Sequence, residues 1–131
     1  MSRTDLIADC FTIIRNAMMT KKDSVDLPAS NTIRAISEIL KKEGYVDNFK
    51  LIEDKKQGQV RVYLKYIAGK CAIRNIKRIS RPGLRLYVGH KKVPHVLRGR
   101  GLAIVSTSGG IMTDKECREK NLGGEVLGYI W

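Results

Sequence analysis

Apolar residues recur at helical spacing over several turns in two places, residues 4–19 and 31–43, and both lie in the first third of the chain. In the first, Leu6, Ile7, Cys10, Phe11, Ile14, Ala17 and Met18 line one helical face, Arg15 falls off it, and Thr4 and Asp5 suit the N-cap and first turn. In the second, Ile33, Ile36, Ile39 and Leu40 share a face, Ser30 suits the N-cap, and Gly44 suits the position just past the end. Most of the chain beyond Gly44 alternates or comes in short apolar runs. Helices gathered at one end of a strand-rich chain predict an α+β fold.

Residues 24–27 read as a short strand. Residues 45–53 and the alternating run Val60, Val62, Leu64, Tyr66 read as a hairpin joined by a turn at residues 55–58. Residues 1–69 are therefore expected to form an N-terminal α/β domain (helix, strand, helix, strand, strand), with Ala68-Gly69-Lys70 as linker. Residues 70–131 are expected to form a mostly β domain with strands at 73–79, 84–88, 102–105 and 125–131. Ser80-Arg81-Pro82-Gly83 reads as a type II turn and residues 93–97 as a helical turn opening at Pro94. Residues 106–110 read as a polar loop. Thr113 and Glu116 have capping-box spacing, so a short helix should come next and stop near Asn121.

Charge is as unevenly placed as hydrophobicity. The net charge is +12, from 25 Lys and Arg against 13 Asp and Glu, and no acid occurs between Asp54 and Asp114. Fourteen of the basic residues fall in that interval, which thus supplies the whole positive excess. Such a segment favours polyanions, either nucleic acid or an anionic membrane. A membrane surface calls for a basic amphipathic helix, and these basic residues lie in strand and turn sequence, so no membrane partner is expected. No apolar run nears the roughly 20 residues of a membrane span. The N-terminus lacks the apolar core of a secretory signal, which leads us to expect an intracellular protein.

Enzyme signatures are missing: there is no P-loop, no HExxH and no GxSxG elbow. His90 and His95 lie among Lys and Arg and read as exposed loop residues; spacing does not support His95 as a base for Ser106 or Ser108. Cys10, Cys71 and Cys117 are far apart, form no CxxC pair, and read as packing residues. No catalytic residue, metal or cofactor is expected.

Three places suit contact with RNA. In Val105-Ser106-Thr107-Ser108-Gly109-Gly110, a buried strand delivers three hydroxyls to a glycine turn. Those hydroxyls either bond sugar 2′-OH groups, base edges and phosphates, or satisfy local backbone in a polar turn. Arg81, Arg85, Tyr87 and Lys91 combine guanidinium forks and an ammonium with a stacking face, although the same residues suit a solvated hairpin. Glu125 either pairs with Arg85 or Arg118 or accepts from a base amino group.

Along its full length the chain resembles the family of small-ribosomal-subunit protein eight, of bacterial and organellar type. The stretch from Gly101 to Asp114, Arg118 and the closing Gly123-Gly124-Glu125 carry the resemblance most specifically. Ile14-Arg15-Asn16-Ala17, Lys42-Glu43-Gly44-Tyr45 and Ser80-Arg81-Pro82-Gly83-Leu84-Arg85 add to it. Cys117 departs from a pattern of small residues, and Gly109 stands where many members carry a longer or basic one. The resemblance implies two small domains and a structural constituent of the small ribosomal subunit. It implies direct binding to the central domain of small-subunit rRNA, early in assembly and through a minor groove. RNA contacts carry over to Ser106, Thr107, Ser108, Gly110, Gly124 and Glu125, and to Arg81, Arg85, Tyr87 and Lys91. Thr4, Arg15, Asn16 and Ser30 carry over in the N-terminal domain. Neighbouring small-subunit proteins are implied partners, and a protein's own mRNA is one for some members. A free RNA chaperone or mRNA-binding repressor is the alternative. The place is the cytoplasmic ribosome, or the plastid stroma for an organellar member.

Overall fold

A computed structural model describes residues 5–53 and 58–131, so Thr4 and most of the turn expected at residues 55–58 lie outside the described residues. The fold is α+β. It divides into two compact units, Leu6–Arg74 and Asn75–Trp131, with Asp5 grouped with the second.

The N-terminal unit holds α1 (Leu6–Met19), β1 (Ser24–Pro28), α2 (Asn31–Lys42), β2 (Val46–Ile52), β3 (Gln59–Leu64) and a small ribbon of β4 (Tyr66–Ile67) with β5 (Lys70–Cys71). Its antiparallel sheet has the order β1-β3-β2. The helices bury the residues their periodicity selects: Cys10, Phe11, Ile14 and Ala17 from α1, and Ile33, Ile36, Ile39 and Leu40 from α2. The Ile33 N–H donates to Ser30 Oγ at 3.1 Å, which starts α2. Gly44, at φ 81°, lets the chain leave it in a left-handed turn. Val60, Val62 and Leu64 alternate inward along β3.

The C-terminal unit holds β6 (Ile76–Arg78), β7 (Tyr87–Val88), 3-10 turns at His90–Lys92 and Leu97–Gly99, β8 (Leu102–Thr107), β9 (Gly110–Thr113), α3 (Asp114–Lys120) and β10 (Gly124–Ile130). β10 is the axis of its antiparallel sheet: β6 and β7 pair along one side, β8 along the other, and β9 lies beyond β8. Ala103, Val105 and Met112 meet Val93, Val96 and the Cys117 of α3 in a buried cluster. The small thiol at residue 117 is fully enclosed there, so cysteine fits where the resemblance leads one to expect a smaller residue. Thr113 Oγ1 accepts the Glu116 N–H at 3.2 Å, the capping bond its spacing implies, and α3 ends at Asn121 in the left-handed region. The buried Asp114 accepts from the Ala103 N–H at 3.2 Å and from Arg118 Nη2 at 2.8 Å, which joins α3 to the start of β8.

Several expectations for this unit need correction. The strand read at residues 73–79 pairs regularly only at Ile76–Arg78, with Asn75 and Trp131 exchanging backbone bonds just beyond it. The alternation of Leu84, Leu86 and Val88 yields a strand only at Tyr87–Val88; Leu84 is 69% exposed, because its backbone closes a turn with Arg81 rather than pairing with the sheet. That turn is not type II, since Gly83 does not take the positive φ its third position demands. The helical turn expected at residues 93–97 is absent. Proline disfavours helical backbone in the residue before it, and Val93 is extended, as is Val96, so both reach the core. Finally, residues 106–110 are not a loop. Ser106 and Thr107 finish β8, Gly110 starts β9, and only Ser108-Gly109 turns.

Candidate nucleic-acid interface

A short row of cross-strand partners builds the site. β10 pairs Glu125 with Tyr87 of β7 on one side and with Ser106 of β8 on the other, and β8 pairs Ser106 with Ile111 of β9. Residues directly opposite in an antiparallel sheet project to one face, so Tyr87, Glu125, Ser106 and Ile111 form a line across four strands. The next row, Val88, Gly124, Thr107 and Gly110, belongs to the opposite face. The three hydroxyls therefore do not act as a unit: the pleat sends Ser106 and Thr107 to opposite faces, and Ser108 sits exposed in the turn.

Thr107 is largely used by the hairpin itself. Its hydroxyl donates to the Gly110 carbonyl at 2.7 Å and accepts from the Gly109 N–H at 3.1 Å, leaving one lone pair. For this hydroxyl the local-turn reading holds. The Ser106 and Ser108 hydroxyls make no hydrogen bond to the described residues and keep both functions. Gly110, at φ 110°, completes the turn in a conformation open to glycine. Gly124 is bare for another reason: a Cβ there would run into the backbone carbonyl of Ser106, because β10 crosses β8 at close range.

Glu125 selects Arg85, not Arg118. Arg85 Nη1 donates to Glu125 Oε2 at 2.9 Å, whereas Arg118 is taken by Asp114. The same oxygen accepts from Ser80 Oγ at 2.6 Å, and Ser80 Oγ accepts from the Leu86 N–H at 3.0 Å. Glu125 Oε1 receives no hydrogen bond from the described residues. The Glu125 side chain is 17% exposed, enough for one oxygen to face outward while the other is held inside. A carboxylate presented this way can only accept, so whatever it recognises must donate.

Around this row the surface is basic and accessible. Arg81, Arg85, Lys91 and Lys92 are exposed, and Tyr87 is 66% exposed with its ring open to stacking. Not all fourteen basic residues share this freedom. Arg78 is nearly buried, pairs with Asp5 at 2.9 Å and donates to the Leu127 carbonyl at 2.8 Å. Arg61 pairs with Asp26 at 2.7 Å in the N-terminal unit.

Of the remaining expected contacts, Arg15, Asn16 and Ser30 belong to the N-terminal unit, and Thr4 lies outside the described residues. Arg15 and Asn16 are exposed neighbours on α1, and Ser30 accepts the capping bond of α2. Ser80 was not among the expected site residues. Its place before Arg81-Pro82-Gly83 marks a turn, and no feature of the sequence says that its hydroxyl turns inward to a residue 45 positions away. Among the described residues no cluster of His, Cys, Asp and Glu suits a metal ion, and no helix is long and apolar enough to cross a membrane.

Residues 5–131 match the family described as Ribosomal protein S8. The chain is 57% identical over 132 residues to the small ribosomal subunit protein uS8 of Streptococcus agalactiae serotype V, covering 100% of both chains. It is 55% identical over 132 residues to the uS8 of Lactobacillus helveticus, again covering 100% of both. With the uS8 of Thermodesulfovibrio yellowstonii it shares 54% identity over 129 residues, 98% of each chain.

Proposed function

This chain belongs to the ribosomal protein S8 family, and from that premise we propose that its C-terminal unit binds the central domain of small-subunit rRNA directly and early in assembly. The chain is a structural protein of the small ribosomal subunit and not an enzyme. The observation that carries the finer reading is the row Tyr87, Glu125, Ser106. It sets a stacking ring, an acceptor-only carboxylate and a free hydroxyl side by side on one sheet face.

An A-form minor groove is wide and shallow and displays 2′-OH groups and base edges. Side chains held close to a sheet suit such a groove, since a long side chain would lose conformational entropy to reach it. Ser106 and Ser108 can donate to and accept from ribose hydroxyls, while Glu125 accepts from a 2′-OH or a guanine amino group. Thr107 adds one acceptor and shapes the turn. Gly110 keeps the turn open to the approach of a backbone, and Gly124 lets β10 bring Glu125 against Ser106. Arg81, Arg85 and Lys91 neutralise the phosphates on either side and fix register without reading sequence. Arg15, Asn16 and Ser30 form a second set of contacts from the N-terminal unit, to which the family resemblance adds Thr4; the whole set rests on that resemblance. Neighbouring small-subunit proteins complete the partners, and the bacterial relatives point to the cytoplasmic ribosome as its place.

Binding competition tests the reading. A central-domain rRNA transcript is set against an A-form duplex of unrelated sequence, and against the same transcript with 2′-deoxy sugars at the protected nucleotides. The transcript should win over both. Equal affinity for all three would mean that the row of residues recognises nothing beyond charge.

A further inference from the structure

We propose that Ser80 is the positioning residue of the recognition carboxylate: its buried hydroxyl holds Glu125 in the orientation that leaves Oε1 to the RNA. The inference rests on the reading of Glu125 as an RNA contact, and assigns to Ser80 a role that does not require touching RNA itself.

Ser80 is fully buried, at 0% exposure, so RNA cannot reach its hydroxyl. The single hydroxyl proton goes to Glu125 Oε2 at 2.6 Å, within the range of a charge-assisted O–H···O⁻ bond, which is about twice as strong as a neutral one. A lone pair of Ser80 Oγ takes the Leu86 N–H at 3.0 Å. The backbone fixes both ends of this link. The Ser80 N–H donates to the Val126 carbonyl at 3.1 Å, and the Val126 N–H donates to the Leu86 carbonyl at 2.9 Å. Ser80 and Leu86 are thus clamped to β10 one residue beyond Glu125, at the neck of the turn that carries Arg81 and Arg85.

The other partner of Glu125 cannot supply this constraint. The Arg85 side chain is 39% exposed, on a long stem, and its guanidinium is also suited to phosphate. With Ser80 in place, Arg85 can turn to a phosphate while Oε2 stays anchored and Oε1 stays outward. Without Ser80, the carboxylate would follow Arg85 or rotate, and its free oxygen would lose its aim.

A double-mutant cycle on the full chain tests this, with the central-domain transcript and the unrelated duplex as probes. Ser80→Ala should weaken transcript binding about tenfold to a hundredfold, with duplex binding unchanged. In a Glu125→Ala background the same substitution should change transcript binding by no more than about twofold, because there is nothing left to aim. Ser80→Cys nearly keeps the volume and replaces the hydroxyl with a poor donor; it should melt as a folded protein and follow Ser80→Ala, so loss of fold cannot imitate the result. Ser80→Thr, which keeps the hydroxyl, should restore binding. An equal loss with and without Glu125, or on both RNAs, would overturn the proposal and leave Ser80 as a strut of the turn. If Glu125→Ala alone leaves transcript affinity unchanged, the reading of Glu125 fails and this inference falls with it.

Discussion

Ser106→Ala and Thr107→Val remove neighbouring hydroxyls, yet the pleat gives them opposite consequences. Thr107 Oγ1 makes two exposed bonds that close the hairpin, to the Gly110 carbonyl and from the Gly109 N–H. Water replaces both partners when the hydroxyl goes, so each bond is taken at the low end of the usual range, and the pair contributes about 1 kcal/mol. Valine keeps the branched shape that suits a strand, so little else changes. Thr107→Val should therefore lower the melting temperature by about 4–8 °C if the C-terminal unit melts as a small domain. Its effect on RNA is limited, since only one acceptor was left to offer. Ser106 is the reverse case. Its hydroxyl makes no bond to the described residues, and replacement by alanine, which keeps the backbone pairing, should leave the melt unchanged. On cognate RNA the loss strands a desolvated partner, costing about 1–3 kcal/mol, or roughly five- to 150-fold in affinity. Thermal melts paired with binding titrations on the transcript and on an unrelated duplex separate the two. If Thr107→Val melts like the parent and takes the larger selective loss of binding, the division of labour argued from the pleat is wrong.

Other expectations rest on the same structure. Lys91→Gln with Lys92→Gln should flatten the salt dependence of binding, each lost phosphate contact reducing the slope by about 0.7–0.9; an unchanged slope would show that these lysines do not meet the RNA. Gly124→Ala drives a methyl into the Ser106 carbonyl and should destabilise the fold by about 1–3 kcal/mol, read as a lowered denaturant midpoint with unchanged slope. Thiol labelling at pH 8 should modify the half-buried Cys71 before Cys10 or Cys117. Burial raises all three thiols, with Cys10 pushed up to about 12, so Cys10 stays protonated and inert until the chain unfolds; labelling of Cys10 first would contradict its enclosure. The Arg61 guanidinium holds Asp26 below its ordinary value, so whatever the pair contributes is present above that value and lost as pH falls below it. Asp26→Asn should accordingly narrow the stability difference between neutral and acidic pH, as denaturant titrations at the two pH values would register.

How legible the fold was depended on whether a residue's role is local. The helices of the N-terminal unit could be read because periodicity, caps and a terminal glycine agree within a few turns, and Ser30 and Gly44 stand where the chemistry requires. The capping box at Thr113 is equally local. Strands failed where alternation had no partner to pair with. Leu84 and Leu86 alternate like a strand, yet a turn closed between Arg81 and Leu84 removes the first from the sheet. The type of that turn also escaped, because proline and glycine in sequence are compatible with more than one φ at the third position. Tyr87, Glu125 and Ser106 could each be chosen from the sequence or its resemblance, but their common face depends on strand register, which is set by pairings of 38 and 19 residues' separation. Ser80 was out of reach for the same reason: its hydroxyl acts at long range.

The acid-free segment takes on a different meaning once its residues are placed. Its last part, residues 101–113, carries no charge because most of it is the β8–β9 hairpin, whose Ala103, Ile104 and Val105 have no exposed surface at all. Neutrality there is a condition of burial before it is a device of recognition, since an unpaired charge on those strands would be prohibitively costly to enclose. The one carboxylate in the proposed recognition row follows the same rule in how it is held. Glu125 is partly enclosed, and two donors share one of its oxygens. Its position among so many cations is also what a basic surface needs in order to discriminate. Arginine and lysine attract any phosphate, whereas an acceptor-only group is repelled by phosphate and tolerated only where the RNA offers a donor. In the proposed RNA complex, attraction by Arg81, Lys91 and Lys92 and rejection by Glu125 act on the same ligand, and the proposed selectivity lies in the difference between them.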